Sequence, residues 1–153
     1  MRLINSLLII SIFSFFLFSC GDSGTNSNNN PEPQLSEGLI GSWKAVKVLF
    51  TNQADTTQKA DLSQYITLNV IVQKDSTYSF TTVVFGQNIT DTGLISSSGN
   101  HLNFTSSNGD NKEATYTITD NILDLQIFDQ AFDFEQDGKN EIAILNAQLE
   151  KIK

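Results

Sequence analysis

The sequence predicts an all-β domain of seven to nine short antiparallel strands, arranged as a sandwich or an up-and-down barrel. Three observations lead there. From Leu39 onward apolar residues recur with a period of two. Turn residues break the pattern at short, regular spacing: Lys74-Asp75-Ser76, Gly86, Gly99-Asn100, Asn108-Gly109-Asp110 and Asp120-Asn121. Threonine is abundant inside the runs, and half-buried strands favour β-branched side chains.

The first strand opens at Gly41-Ser42-Trp43. Residues 65–72 then place Ile66, Leu68, Val70 and Val72 on one face, and 77–85 return with Tyr78, Phe80 and Val84 on one face, which makes a hairpin. Further strands are expected over 89–96, 101–105, 114–119 and 122–128. The polar stretch 51–64 is longer than a hairpin loop. It is read as a lid over one end, with one helical turn over 60–64. Residues 140–153 fit a helix through Ile142, Leu145, Leu149 and Ile152, and a strand through Leu145, Ala147 and Leu149. The strand, 143–152, is preferred, because a closed sheet needs a last strand to cover the edge of the first.

The N-terminus reads as an address. Arg2 precedes an apolar run from Leu7 to Phe18, which is followed by Ser19-Cys20-Gly21. A basic residue, a short apolar stretch and a small residue before the cut are the parts of an export signal. The run is too short for the roughly 20 residues that span a bilayer. Leu17-Phe18-Ser19-Cys20 resembles the lipobox of bacterial lipoproteins, which implies a signal peptide over 1–19 and lipidation of Cys20. Acyl chains at roughly 0.8 kcal/mol per buried methylene would anchor the chain to a membrane. Residues 20–37 hold both prolines and almost no apolar surface, as a flexible tether does.

Charge and composition exclude several roles. The chain has 17 acidic and 9 basic residues, a net charge of -8. Removing 1–19 takes away Arg2 and no acid, leaving 17 acids against eight lysines, a net of -9. Phosphate binding needs a basic surface, so a nucleic-acid partner is not expected. With one cysteine there is no internal disulfide.

Gly41-x-Trp43 at the head of a meander, together with the ending Leu149-Glu150-Lys151, resembles the lipocalin-like domain of lipidated proteins in Gram-negative bacteria. The resemblance covers residues 38–153. It implies an up-and-down β-barrel of about eight strands, an outer-membrane anchor, a Trp that closes one end, and an open end that admits a small apolar ligand. The better-known lipocalins stack an arginine on that Trp. The mature chain has none, and Lys151 is expected to cover Trp43 by a cation–π contact. The inward candidates to line a ligand are Trp43, Leu68, Val70, Tyr78, Phe80, Phe104, Tyr116, Leu123 and Leu125. An eight-stranded barrel can hold one small ligand or be filled by its own side chains. In the second case the exterior would engage a protein, and the domain would be an envelope scaffold.

Candidate chemistry is sparse. Asp133, Glu135, Asp137 and Glu141 surround Gly138 in a pattern that approaches a calcium loop, although Ile144 stands where an EF-hand places its bidentate Glu. A turn at Asp137-Gly138 with solvated acids is the preferred reading. His101 is the single histidine, so a His-based zinc site is excluded. No Gly-x-Ser-x-Gly elbow and no phosphate loop occur. No cofactor and no catalytic activity are expected.

Overall fold

The computed structural model describes residues 35–152. The expected signal peptide, Cys20 and most of the tether lie outside the described residues. A 3-10 turn over Glu37–Leu39 leads into β1 (Gly41–Asn52), β2 (Lys59–Asp61), β3 (Ile66–Val72), β4 (Thr77–Val84), β5 (Gln87–Ser98), β6 (His101–Ser106), β7 (Asn111–Thr119), β8 (Ile122–Phe132) and β9 (Glu141–Ile152). Neighbours pair antiparallel in sequence order from β3 onward, and β1 pairs with both β3 and β9. Eight strands thus close into a barrel. The short β2 adds to the second half of β1, at Leu49–Thr51, beyond the stretch that β3 covers.

Inward positions alternate as the sequence predicts. Leu68, Val70 and Val72 on β3, Leu102 and Phe104 on β6, Leu123, Leu125 and Ile127 on β8, and Ala147 and Leu149 on β9 are buried in one cluster. The C-terminal segment is a strand, because pairing with β1 along Ser42↔Ile152 to Asn52↔Ala143 satisfies a backbone that a helix would leave off the sheet. The expected helical turn at 60–64 is not formed. Ala60 and Asp61 are extended opposite Phe50 and Leu49, and the turn follows at Leu62, whose carbonyl accepts from Tyr65 and Ile66. The hairpin after β4 turns at Phe85 and Gly86, both with positive φ, as a two-residue connection between twisted strands requires.

Two irregularities let the sheet curl shut. Register slips between Ala45 and Lys47 on β1, and between Ile127 and Gln130 on β8, where Asp129 has φ +54°. A third device is Gly93. β5 pairs with β4 up to Leu94 and with β6 from Gly93 onward, so it changes partner where the β6 backbone comes closest. A Cβ on Gly93 would collide with the Thr105 carbonyl and the Ser106 backbone. Gly93→Ala is therefore expected to destabilise the domain by about 1–3 kcal/mol, read as a lowered urea midpoint with an unchanged slope. The same change at Gly99, which has nothing within 4 Å but a φ of +61°, tests turn strain alone.

Candidate functional site

Alternating strand direction gives the barrel two ends of different character. One end holds Gly41, the turns at 73–76, 99–100 and 120–121, and Ile152. Here the chain makes its own stopper. Trp43 is 1% exposed and its indole N–H donates to the Leu39 carbonyl at 2.9 Å. Lys151 lies opposite Trp43 in the β1–β9 ladder. Its Nζ sits 5.0 Å from the ring centroid and donates to the Gly38 carbonyl at 3.3 Å. The expected cation–π cover is in place. Gly41, at φ +140°, leaves room for the lysine stem, since a Cβ there would lie 2.8 Å from Lys151 Cε. Leu35 and Ile118 pack against the core beside this stopper.

The opposite end carries residues 53–65, the turn at 85–86, the turn at 107–110 and the loop 133–140. Its larger inward apolar side chains stay half-buried, Ile66, Val84, Ile89, Phe50, Leu145 and Phe132, while the small Ala143 beside them is fully buried. Phe50 stacks on Phe132 with centroids 4.8 Å apart, and Phe132 meets Phe134 at 4.7 Å. Offset aromatic groups of this kind add contact energy while leaving ring faces open to a further apolar partner. Residues 53–65 join β1 to β3 at this end; the lid expected over 51–64 is partly wall instead, since Thr51 and Asn52 end β1 and Lys59–Asp61 pair beside it. Asn52 (5% exposed) accepts from the amides of Ala54 and Asp55 and donates to Gln58, which ties the loop's start to the barrel. Leu62 packs on the core at its other end, and the Asp55 and Asp61 carboxylates are each held below their ordinary range, chiefly by the hydroxyls of Thr57 and Ser63.

The nine inward candidates belong to or pack against one cluster. Trp43, Leu68, Val70, Tyr78, Phe104, Leu123 and Leu125 are buried, while Phe80 and Tyr116 are partly buried against them. Tyr78, Phe80 and Phe104 fill the middle of the barrel as an edge-to-face triplet with centroids 5.1 to 5.2 Å apart. These side chains are occupied with each other. Concavities of about 470 and 410 Å³ lie on the outer wall, one around Gly93 and one across β8, β9, β1 and β2.

A polar group that sequence reasoning missed also faces inward. Asp91 accepts from the Tyr78 hydroxyl at 3.0 Å and from the Ser106 hydroxyl at 2.6 Å. One carboxylate oxygen of Asp110 is buried with no partner. Burial first, and then the hydrogen bond and charge of Asp91, push the Tyr78 phenol well above its ordinary 10.0. Tyr78 therefore acts as a donor that fixes Asp91 inside the wall. Nothing in the alternation marks Asp91, because a polar residue at an inward position looks like a register error. Phe132 and Phe134 were missed because the bulge at Asp129 breaks the period on which the end of β8 was judged.

The acidic loop is partly assembled. Carboxylate oxygens of Asp133, Asp137 and Glu141 lie within 4.8 Å of one another, whereas Glu135 is exposed and outside the group. These acids already hold the loop. Asp133 accepts from the amides of Asp137 and Gly138, Glu141 accepts from the amide of Phe134, and Asp137 pairs with Lys139 at 3.1 Å. Gly138 at φ +86° makes the turn that the sequence predicts. His101 is exposed at the start of β6.

No protein-family model matches the chain, and no curated protein does. Among solved structures it is similar to EF1p2_mFAP2b bound to DFHBI, with a TM-score of 0.47 and 15% identity over 78% of this chain and 98% of that one.

The raised phenol sets a pH dependence. The unfolded chain loses this proton near 10.0 while the folded chain keeps it, so the folded state binds more protons above that pH. Stability is then expected to be full below 10 and to fall above it by up to about 1.4 kcal/mol per pH unit. Tyr78→Phe should remove that alkaline slope in urea titrations. It should also cost about 1.5–3 kcal/mol at neutral pH, since Asp91 loses a donor.

Proposed function

We propose that this chain is a lipid-anchored protein of the bacterial envelope, held at the outer membrane through Cys20, whose barrel binds a small apolar ligand at its open end. The role is non-enzymatic. The observation that carries the reading is the gradient of burial along the barrel axis. One end is sealed by Trp43 and Lys151, while inward apolar groups at the other, Phe50, Phe132, Leu145 and Ile66 among them, are only half-buried. A ligand at that end would complete the burial that the chain leaves unfinished, at roughly 25 cal/mol per Å² of apolar surface covered. The residues that would touch it are the rim aromatics Phe50, Phe132 and Phe134. Trp43, Val70 and Leu125 support the wall from within.

A second reading is favoured by the packed middle of the barrel: the domain is a scaffold, and its outer surface engages a protein of the envelope. Val70→Phe separates what the interior tolerates. A filled barrel is overpacked by the change and loses about 1–3 kcal/mol, whereas an interior with slack absorbs it.

Native mass spectrometry of the chain purified from a bacterial host is the direct test. The expected result is an added small mass that survives buffer exchange, leaves on denaturation, and falls in occupancy in Phe132→Ala, with an affinity loss of about tenfold. A bare polypeptide mass in several hosts would overturn the ligand and favour the scaffold. In parallel, Cys20→Ala is expected to move the protein from the membrane fraction to the soluble one and to remove the lipid mass. Retention of both would overturn the anchor.

A further inference from the structure

The loops at the open end carry charge mainly of one sign. Residues 53–65, 107–110 and 133–140 hold Asp55, Asp61, Asp110, Asp133, Glu135 and Asp137 against Lys59 and Lys139, and Lys139 is paired with Asp137. The stoppered end is nearly balanced, with Glu37, Asp75 and Asp120 against Lys74 and Lys151. Two carboxylates stand at the apolar mouth itself. Glu141 opens β9 as the cross-strand partner of Phe132, and alternation puts it on the inward face with Ala143. Half-buried, it accepts from the Phe134 amide at 2.8 Å, and carboxylate oxygens of Asp133 and Asp137 lie within 4.8 Å of its own. Asp110 stands just before β7, and one of its carboxylate oxygens is buried with no hydrogen-bond partner among the described residues. β7, β8 and β9 are consecutive neighbours, so Asp110 and Glu141 end the strands on either side of the one that ends in Phe132. Lys112, opposite Phe104 on β6, is the lysine nearest in sequence to this inward face, and it leaves the acids in excess.

We propose that the ligand of the open end is a small organic cation, an apolar body joined to an ammonium or quaternary nitrogen. The inference rests on the apolar-ligand reading and adds to it the charge of the ligand. The rings of Phe50, Phe132 and Phe134 form one continuous stack at the mouth, and aromatic faces attract cations through their quadrupole. Walls of low dielectric that carry one sign of charge concentrate the field on whatever enters between them. The hydrogen bonds that hold Asp133 and Glu141 in place leave their charge intact. An anionic amphiphile would be repelled by these acids, and a neutral one would gain nothing from them. A buried acceptor without a donor is uncommon in folded proteins, and a protonated amine is a donor of the charge that Asp110 calls for.

The test compares three probes that share one alkyl chain and differ in the charge of the head: octyltrimethylammonium, octanol and octanoate, each below its micellar concentration. They are titrated into the isotopically labelled full chain carrying Cys20→Ala, so that no lipid competes for them, and amide chemical shifts are followed. The expected result is saturable shifts centred on Phe50, Phe132 and Phe134, with a Kd of about 1 mM or tighter for the cation. Octanol should bind about tenfold more weakly and octanoate more weakly still, and added salt should narrow the gap. The double variant Asp110→Asn/Glu141→Gln keeps shape and hydrogen-bonding capacity, and should lose most of that tenfold preference while retaining the spectrum of a folded barrel. Asp120→Asn at the stoppered end also removes an acid and should leave the preference as it is. Octanol or octanoate binding as tightly as the cation, or a preference undiminished in the double variant, would overturn the charge inference and leave the apolar-ligand reading standing. No shifts from any of the three up to roughly 10 mM would overturn both.

Discussion

The pairing of the first barrel strand with the last is the constraint on which the rest of the molecule depends. Along β1 and β9 the chain matches residues about a hundred positions apart, from Ser42 with Ile152 to Asn52 with Ala143. Without it, β1 and β9 would each present an open edge, the usual template for association with other chains. The same ladder sets Trp43 across from Lys151, so the contact that seals one end is a cross-strand pair of the closure itself. Curvature enough to reach this register comes from the slips at Ala45/Lys47 and Ile127/Gln130 and from the close backbone approach that Gly93 allows.

Closure with one stoppered end divides the molecule's surface into regions with different capacities. The middle of the barrel is committed to stability, since Tyr78, Phe80 and Phe104 satisfy one another and the Tyr78 hydroxyl is spent on Asp91. The open end retains uncovered apolar area around Phe50 and Phe132. The outer wall over β8 and β9 is polar and ordered by side-chain hydrogen bonds.

Much of the fold was legible because it rests on period-two alternation. The hairpin of β3 and β4, the inward set from Leu68 to Leu125, and the strand character of β9 all follow from which residues share a face. The Trp43–Lys151 contact was legible through the resemblance and the absence of arginine. What escaped are the places where alternation is interrupted or overridden. The bulge at Asp129 hid Phe132 and with it the stack on Phe50 and Phe134, because one added residue inverts the faces that follow. Residues 60–64 carry local helical character, yet hydrogen bonding to β1 draws Ala60 and Asp61 into a strand. The inward Asp91 and Asp110 were unreadable, since what makes Asp91 tolerable is two hydroxyls from β4 and β6 that only the folded chain brings together.

Closure between the ends of the domain also fixes the order in which it can be completed. A ribosome releases β1 first, and its partner over most of its length is the last strand to emerge. Hairpins such as β3 with β4 can form during synthesis, but the ring waits for residue 152 and for the loss of entropy that so distant a contact entails. Until then the chain is an unclosed ribbon with two sticky edges. A polypeptide threaded through a membrane pore in N-to-C order would stay in that state for the whole transit and would snap shut only on the far side.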